Sequence, residues 1–126
     1  MDTYDFSGKT ILIAEDEDTN FLFLKALMRK TNAELVWART GLMAIEAVKK
    51  NPNIQLILMD MRMPDMGGLE ASAIIKRMHP EIKIIAQTAY ALAGEKEKIL
   101  DAGCDNYVSK PIEGKMLLQM IDGYLK

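Results

Sequence analysis

Five short apolar runs punctuate the chain: Thr10 to Ala14, Glu34 to Ala38, Gln55 to Met59, Ile82 to Ala86 and Asn106 to Val108. Several are too continuously apolar for a strand with one wet face, so they predict buried parallel strands. Between them, apolar residues recur at helical spacing, which predicts helices over roughly 18–30, 41–50, 67–78 and 93–102, and from about 113 onward. The punctuation agrees. Asn51-Pro52 and His79-Pro80 stop the second and third helices, because proline pushes the residue before it out of the helical region. Gly103 stands where a left-handed residue closes a helix, and Thr40-Gly41 supplies a start before Leu42. The pattern is a (βα)5 repeat. Right-handed crossovers then place helices on both faces of a five-stranded parallel sheet, a doubly wound α/β fold. One domain is expected over 1–126, with no internal linker.

Ligands of open α/β sheets bind at the carboxyl ends of the strands, so what each strand delivers there matters most. The first ends in Glu15-Asp16, the third in Asp60, the fourth in Gln87-Thr88 and the fifth in Ser109-Lys110. If the first, third and fourth strands are neighbours, carboxylates converge, and their repulsion raises a pKa or calls for a cation. Mg2+ is the natural one, since it takes oxygen ligands and is usually held by one or two carboxylates together with phosphate oxygens. Phosphoryl transfer accounts for the remaining groups: Asp60 as nucleophile, Lys110 as counter-charge, the Thr88 hydroxyl and the Ala89 backbone N–H as donors to phosphate. Glu17 and Asp18 read as acids complementing a helix dipole, without a metal role.

Composition narrows the field. The formal charge of −2 lacks the basic excess of nucleic-acid or anionic-membrane binders, so neither partner is expected. No apolar stretch approaches the roughly 20 residues of a membrane span, and the first residues lack a signal-peptide pattern, which makes a cytoplasmic location the expectation. Cys104 is the one cysteine, so no intramolecular disulfide or cysteine metal cluster is expected. His79, between Met78 and Pro80, reads as an ordinary loop residue, and the ten methionines read as packing.

With those residues in place, the sequence resembles the response-regulator receiver domains of two-component systems. The resemblance rests on Ile11-Leu12-Ile13-Ala14-Glu15-Asp16, Met59-Asp60-Met61-Arg62-Met63-Pro64, Gln87-Thr88-Ala89 and Tyr107-Val108-Ser109-Lys110-Pro111. It implies a flavodoxin-like strand order 2-1-3-4-5. Asp60 resembles the phosphoacceptor, Asp16 and Glu15 the acidic metal pair, and the Arg62 backbone carbonyl a further metal ligand. Lys110 resembles the phosphate-binding lysine, Thr88 the switch hydroxyl, and Tyr107 the aromatic that turns inward with it. The resemblance also implies a cis peptide before Pro111, a switch rather than an enzyme proper, and a histidine kinase or histidine phosphotransfer domain as phosphodonor. A monomer or weak dimer is expected. Asn20, Gly68-Leu69-Glu70-Ala71 and Ala89-Tyr90-Ala91-Leu92-Ala93-Gly94 are most similar to receivers of hybrid histidine kinases. Arg62 and Tyr90 fall at positions that tune the lifetime of the phosphoryl group, and as shields against water they imply slow self-dephosphorylation.

Other readings are weaker. A haloacid-dehalogenase-type phosphatase would need a second aspartate two residues after Asp60, where Arg62 stands. A flavodoxin-like electron carrier would have to seat a flavin phosphate against Glu15-Asp16-Glu17-Asp18, which repels it. An interaction module that is never phosphorylated would not require Asp60, Asp16, Thr88 and Lys110 together. On the first helix, about 100° per residue places Leu22 about 160° from Leu24, on the outer face. Leu22 and the adjacent Phe21 are therefore expected to form a docking patch for a helical phosphodonor.

Overall fold

A computed structural model describes residues 3–89 and 93–126. Five strands alternate with five helices: β1 (Thr10–Ala14), α1 (Asp18–Met28), β2 (Glu34–Ala38), α2 (Gly41–Lys50), β3 (Ile54–Asp60), α3 (Gly68–Met78), β4 (Lys83–Thr88), α4 (Ala93–Asp101), β5 (Asn106–Ser109) and α5 (Gly114–Leu125). All strand pairings are parallel and the sheet order is β2-β1-β3-β4-β5, as the sequence pattern and the resemblance imply.

Period-2 alternation along the strands splits the core into two layers. Leu12, Ile57 and Ile84 point to one face, where they meet Ala44 and Val48 of α2, Ala71 and Ile75 of α3, and Ile99 of α4. Ile11, Ile13, Leu56, Leu58 and Ile85 point to the other, against Phe21 and Leu24 of α1 and Leu117 and Ile121 of α5. Burial on both faces is why these strands read as unbroken apolar runs.

The boundaries differ from the sequence reading mainly at the functional edge. β3 runs on through Asp60 and β4 through Thr88, because the backbone ladder continues past the last apolar side chain: Asp60 pairs with Gln87, and Thr88 with Ser109. The first helix is shorter than expected. Arg29–Thr31 tighten into a 3-10 turn, and Asn32 takes a left-handed conformation at φ 65° that ends it. Thr40 caps α2 by accepting the Met43 amide, and Gly103 is left-handed at φ 99°.

Candidate functional site

Parallel strands with their carboxyl ends aligned bring Glu15, Asp16, Asp60, Thr88 and Lys110 to one edge of the sheet. One carboxylate oxygen from each of Glu15, Asp16 and Asp60 lies within 4.8 Å of the others. The set is made wholly of hard carboxylate oxygens, which fits a divalent oxygen-seeking cation and not a soft metal. Lys110 supplies the positive charge already present. Its Nζ donates to Asp60 Oδ1 at 3.2 Å and lies 3.7 Å from Glu15 Oε2.

Glu15 is the most constrained of the acids. Its side chain is fully buried, accepts the Glu17 amide at 3.1 Å, and accepts the Asn20 side-chain amide. Desolvation raises its pKa to about 7; the Asn20 hydrogen bond opposes the rise, and the Asp60 charge adds to it. Burial is thus the main reason this acid holds its proton more tightly than a free glutamate, and the neighbouring Asp60 charge adds to it. Burial works against the Lys110 ammonium as well, but the Asp60 and Glu15 charges outweigh it and hold its pKa above the ordinary lysine value.

Asp60 is fixed from below. Its strand is buried from Leu56 to Met59, and the backbone N–H of Arg62 donates to Asp60 Oδ1 at 3.4 Å. Gly68 opens α3 directly over this turn: a Cβ there would strike the Asp60 carbonyl oxygen and lie 2.9 Å from the Met61 Cα. Thr88 is buried at the end of β4, Ala89 is exposed beyond it, and Lys110 N–H donates to the Thr88 carbonyl at 2.8 Å. Tyr107 is half-buried, packs against the helix α2–α4 side of the core, and has Lys96 Nζ 5.4 Å from its ring centroid. The Lys110-Pro111 bond is cis, as the resemblance implies.

One expectation about the surroundings changes. Leu22 is exposed, at 59%, but Phe21 is not available for docking: it is buried and stacks on Trp37. Phe21 precedes Leu24 by three residues, so it lies about 60° from the centre of the buried face, on the inner side of α1. The exposed aromatic is Phe23. It lines a cleft of about 320 Å³ with Asn20, Lys110, Pro111 and Ile112, between α1 and the turn that follows β5. Arg62 is exposed beside Asp60, while Tyr90 lies outside the described residues. The role of Asn20 was not expected. Its amide donates to Glu15 and, at 3.2 Å, to the Gln87 side-chain oxygen, linking β1 to β4 across β3.

Residues 11–122 match the response regulator receiver domain family, and the chain belongs to it. It is 38% identical over 120 residues to hybrid signal transduction histidine kinase I of Dictyostelium discoideum; the match takes in 89% of this chain and only 7% of that kinase. It is 34% identical over 119 residues to the polar-differentiation response regulator DivK of Brucella ovis, over 93% of this chain and 96% of DivK. Among solved structures, a CheY-like receiver domain protein from Methanospirillum hungatei matches with a TM-score of 0.86 at 29% identity, over 93% of each chain. The co-crystal structure of the Saccharomyces cerevisiae histidine phosphotransfer protein Ypd1 with the receiver domain of its response regulator Ssk1 matches at 0.88, with 26% identity over 98% of this chain and 91% of that one. The chain is therefore a receiver domain of two-component signalling. Among the described residues, no helix is long and apolar enough to cross a membrane.

Proposed function

We propose that this receiver accepts a phosphoryl group on Asp60 from a phosphohistidine donor, in a Mg2+-dependent reaction that switches its surface. The observation that carries the reading is the convergence of three carboxylates, one of them held near neutrality, with a single lysine at 3.2 Å from Asp60. Asp60 attacks the phosphorus in line, forming an O–P bond as the P–N bond to the donor imidazole breaks, and the bonding electron pair returns to the ring nitrogen. Lys110 balances the charge that gathers on the phosphoryl oxygens, and the Ala89 N–H and Thr88 hydroxyl donate to them. Glu15, Asp16, Asp60 and the Arg62 carbonyl would hold Mg2+, which supplies the remaining positive charge.

The product is an acyl phosphate. Drawing Thr88 toward it vacates space for Tyr107 to turn inward, altering the surface of α4, β5 and α5 as a two-state shift. Arg62 and Tyr90 shield the acyl phosphate from water and lengthen its life. The partner is a histidine kinase or histidine phosphotransfer domain. Its approach is supported by the Ypd1–Ssk1 complex among the structural relatives, by exposed Leu22, and by exposed Phe23 lining the cleft. We further infer a cytoplasmic setting and a switch whose catalytic groups act on its own modification.

Intact mass spectrometry after incubation with Mg2+ and acetyl phosphate tests the reading. One added phosphoryl mass in the wild type and none in Asp60→Asn is expected; an unmodified wild type would leave an interaction module.

A further inference from the structure

One side chain outside the acidic site reaches the backbone of its metal-binding pair. Trp37, the only tryptophan, stands on the edge strand β2, and its indole Nε1–H donates to the Glu15 carbonyl oxygen at 2.8 Å. That oxygen belongs to the peptide joining Glu15 to Asp16, so the bond fixes the plane from which the Asp16 side chain departs. The Glu15 N–H donates in turn to the Ala38 carbonyl at 2.9 Å, which ties both polar ends of Glu15 to β2.

The indole is itself clamped. Phe21 stacks against it with ring centroids 3.7 Å apart and planes 4° from parallel, and the Arg39 guanidinium carbon lies 4.0 Å from the ring centroid. Arg39 reaches back to Asp18 at the start of α1, with Nη2 2.8 Å from Oδ1. An ion pair exposed on both sides adds little to stability. Its geometric effect is larger, since it joins β2 and α1 around the ring and holds the indole N–H on the Glu15 carbonyl. A backbone ladder bond would have served to extend the sheet; an aromatic donor clamped on both sides serves to fix one peptide.

We propose that Trp37 is a positioning residue for the acidic pair, holding the Glu15–Asp16 peptide so that both carboxylates face Asp60. The inference rests on reading Glu15, Asp16 and Asp60 as the Mg2+ site. Partners that orient metal ligands from outside the coordination sphere commonly change metal affinity about ten-fold or more when removed.

The test replaces Trp37 with 3-benzothienylalanine, in which sulfur takes the place of the N–H while ring size and stacking are kept. Mg2+ affinity is measured by calorimetric titration and stability by thermal melting in EDTA. The expected result is about ten-fold weaker Mg2+ binding, with a melting point lowered only by the few degrees of one lost hydrogen bond. Ile121→Val, on the same face of the sheet but in α5, serves as a control of comparable instability and should bind Mg2+ as the wild type does. In the wild type, the single indole 1H–15N cross-peak should move with Mg2+ along the calorimetric binding curve. Equal affinity in the benzothienyl variant, weakening matched by Ile121→Val, or a stationary indole signal overturns the assignment while leaving the metal site standing. A wild type that takes up no Mg2+ removes both.

Discussion

Lys110 Nζ sits 3.2 Å from Asp60 Oδ1 although β4 separates the two strands that carry them. The ammonium therefore spans the edge of the sheet, where, on the proposed function, it would meet a phosphoryl group arriving on Asp60. Lys110→Met keeps the aliphatic stem and removes that charge. Phosphorylation of the variant by acetyl phosphate in saturating Mg2+ should slow by about 10²–10³-fold, the usual cost of losing one preorganised electrostatic partner. Rates within a few-fold of the wild type would show that Lys110 only packs there.

Gly68 governs the other side of Asp60. Its Cα lies so close to the Asp60 carbonyl and the Met61 backbone that no Cβ fits without moving main chain. Gly68→Ala should cost roughly 1–3 kcal/mol in urea unfolding, the range for overpacking a closed site. It should also slow phosphorylation of the molecules that remain folded, because the displaced atoms carry Asp60, the proposed nucleophile. Gly123→Ala, where nothing lies within 4 Å of the added carbon, provides the comparison and should do neither.

What the sequence made legible and what it hid divide along physical lines. The strand ends were legible because a polar residue after a buried apolar run has a fixed place, at the sheet edge, whichever strands are neighbours. Asn20 shows the limit. Four residues before Leu24, it falls about 40° from the centre of the buried face of α1, but its bonds to Glu15 and Gln87 exist only because strand order sets β1, β3 and β4 side by side. Trp37 was hidden for the same reason, since periodicity gives the face of an aromatic but not the carbonyl its N–H meets. Phe21 was misplaced by treating it as a companion of Leu22, when helical geometry turns neighbours about 100° apart.

The same geometry refines the docking surface. Leu22 and Phe23 are exposed at 59% and 42%, and Phe23 opens onto the cleft beside Lys110 and Pro111. Leu22→Ser and Phe23→Ser should each slow phosphotransfer from a phosphorylated histidine phosphotransfer domain, while phosphorylation by acetyl phosphate stays unchanged. Truncating an interface anchor typically costs about 1–2 kcal/mol, or a five- to thirty-fold loss in apparent affinity for the donor. Equal slowing with both donors would place the two residues in folding or chemistry and not in docking.

The proposed function gives Arg62 and Tyr90 a role in the lifetime of the acyl phosphate. Exposed Arg62 follows Asp60 by two residues and anchors its own amide on Asp60 Oδ1. The double substitution Arg62→Asn with Tyr90→Glu should shorten the half-life of phosphorylated protein severalfold, measured as loss of phosphoryl mass after the donor is removed. An equal or longer half-life would free both residues from that role.

Glu15 gives the site a pH dependence whose sign is fixed. Its pKa in the fold is raised from 4.5 to about 7, chiefly by burial, so the folded state holds this proton more tightly than the unfolded chain does. The resulting stability is fully present below pH 4.5 and is lost as pH rises through 7. In EDTA, wild type measured against Glu15→Gln should therefore lose on the order of 2 kcal/mol between pH 5 and pH 8. On the proposed reading Mg2+ would bind the ionised acid in competition with the proton, so its affinity should climb over the same interval and its binding at pH 6 should release protons, detectable as a buffer-dependent calorimetric heat. A Mg2+ affinity that is flat from pH 5 to pH 8 would mean that Glu15 is ionised throughout, with Lys110 alone sufficient to balance it.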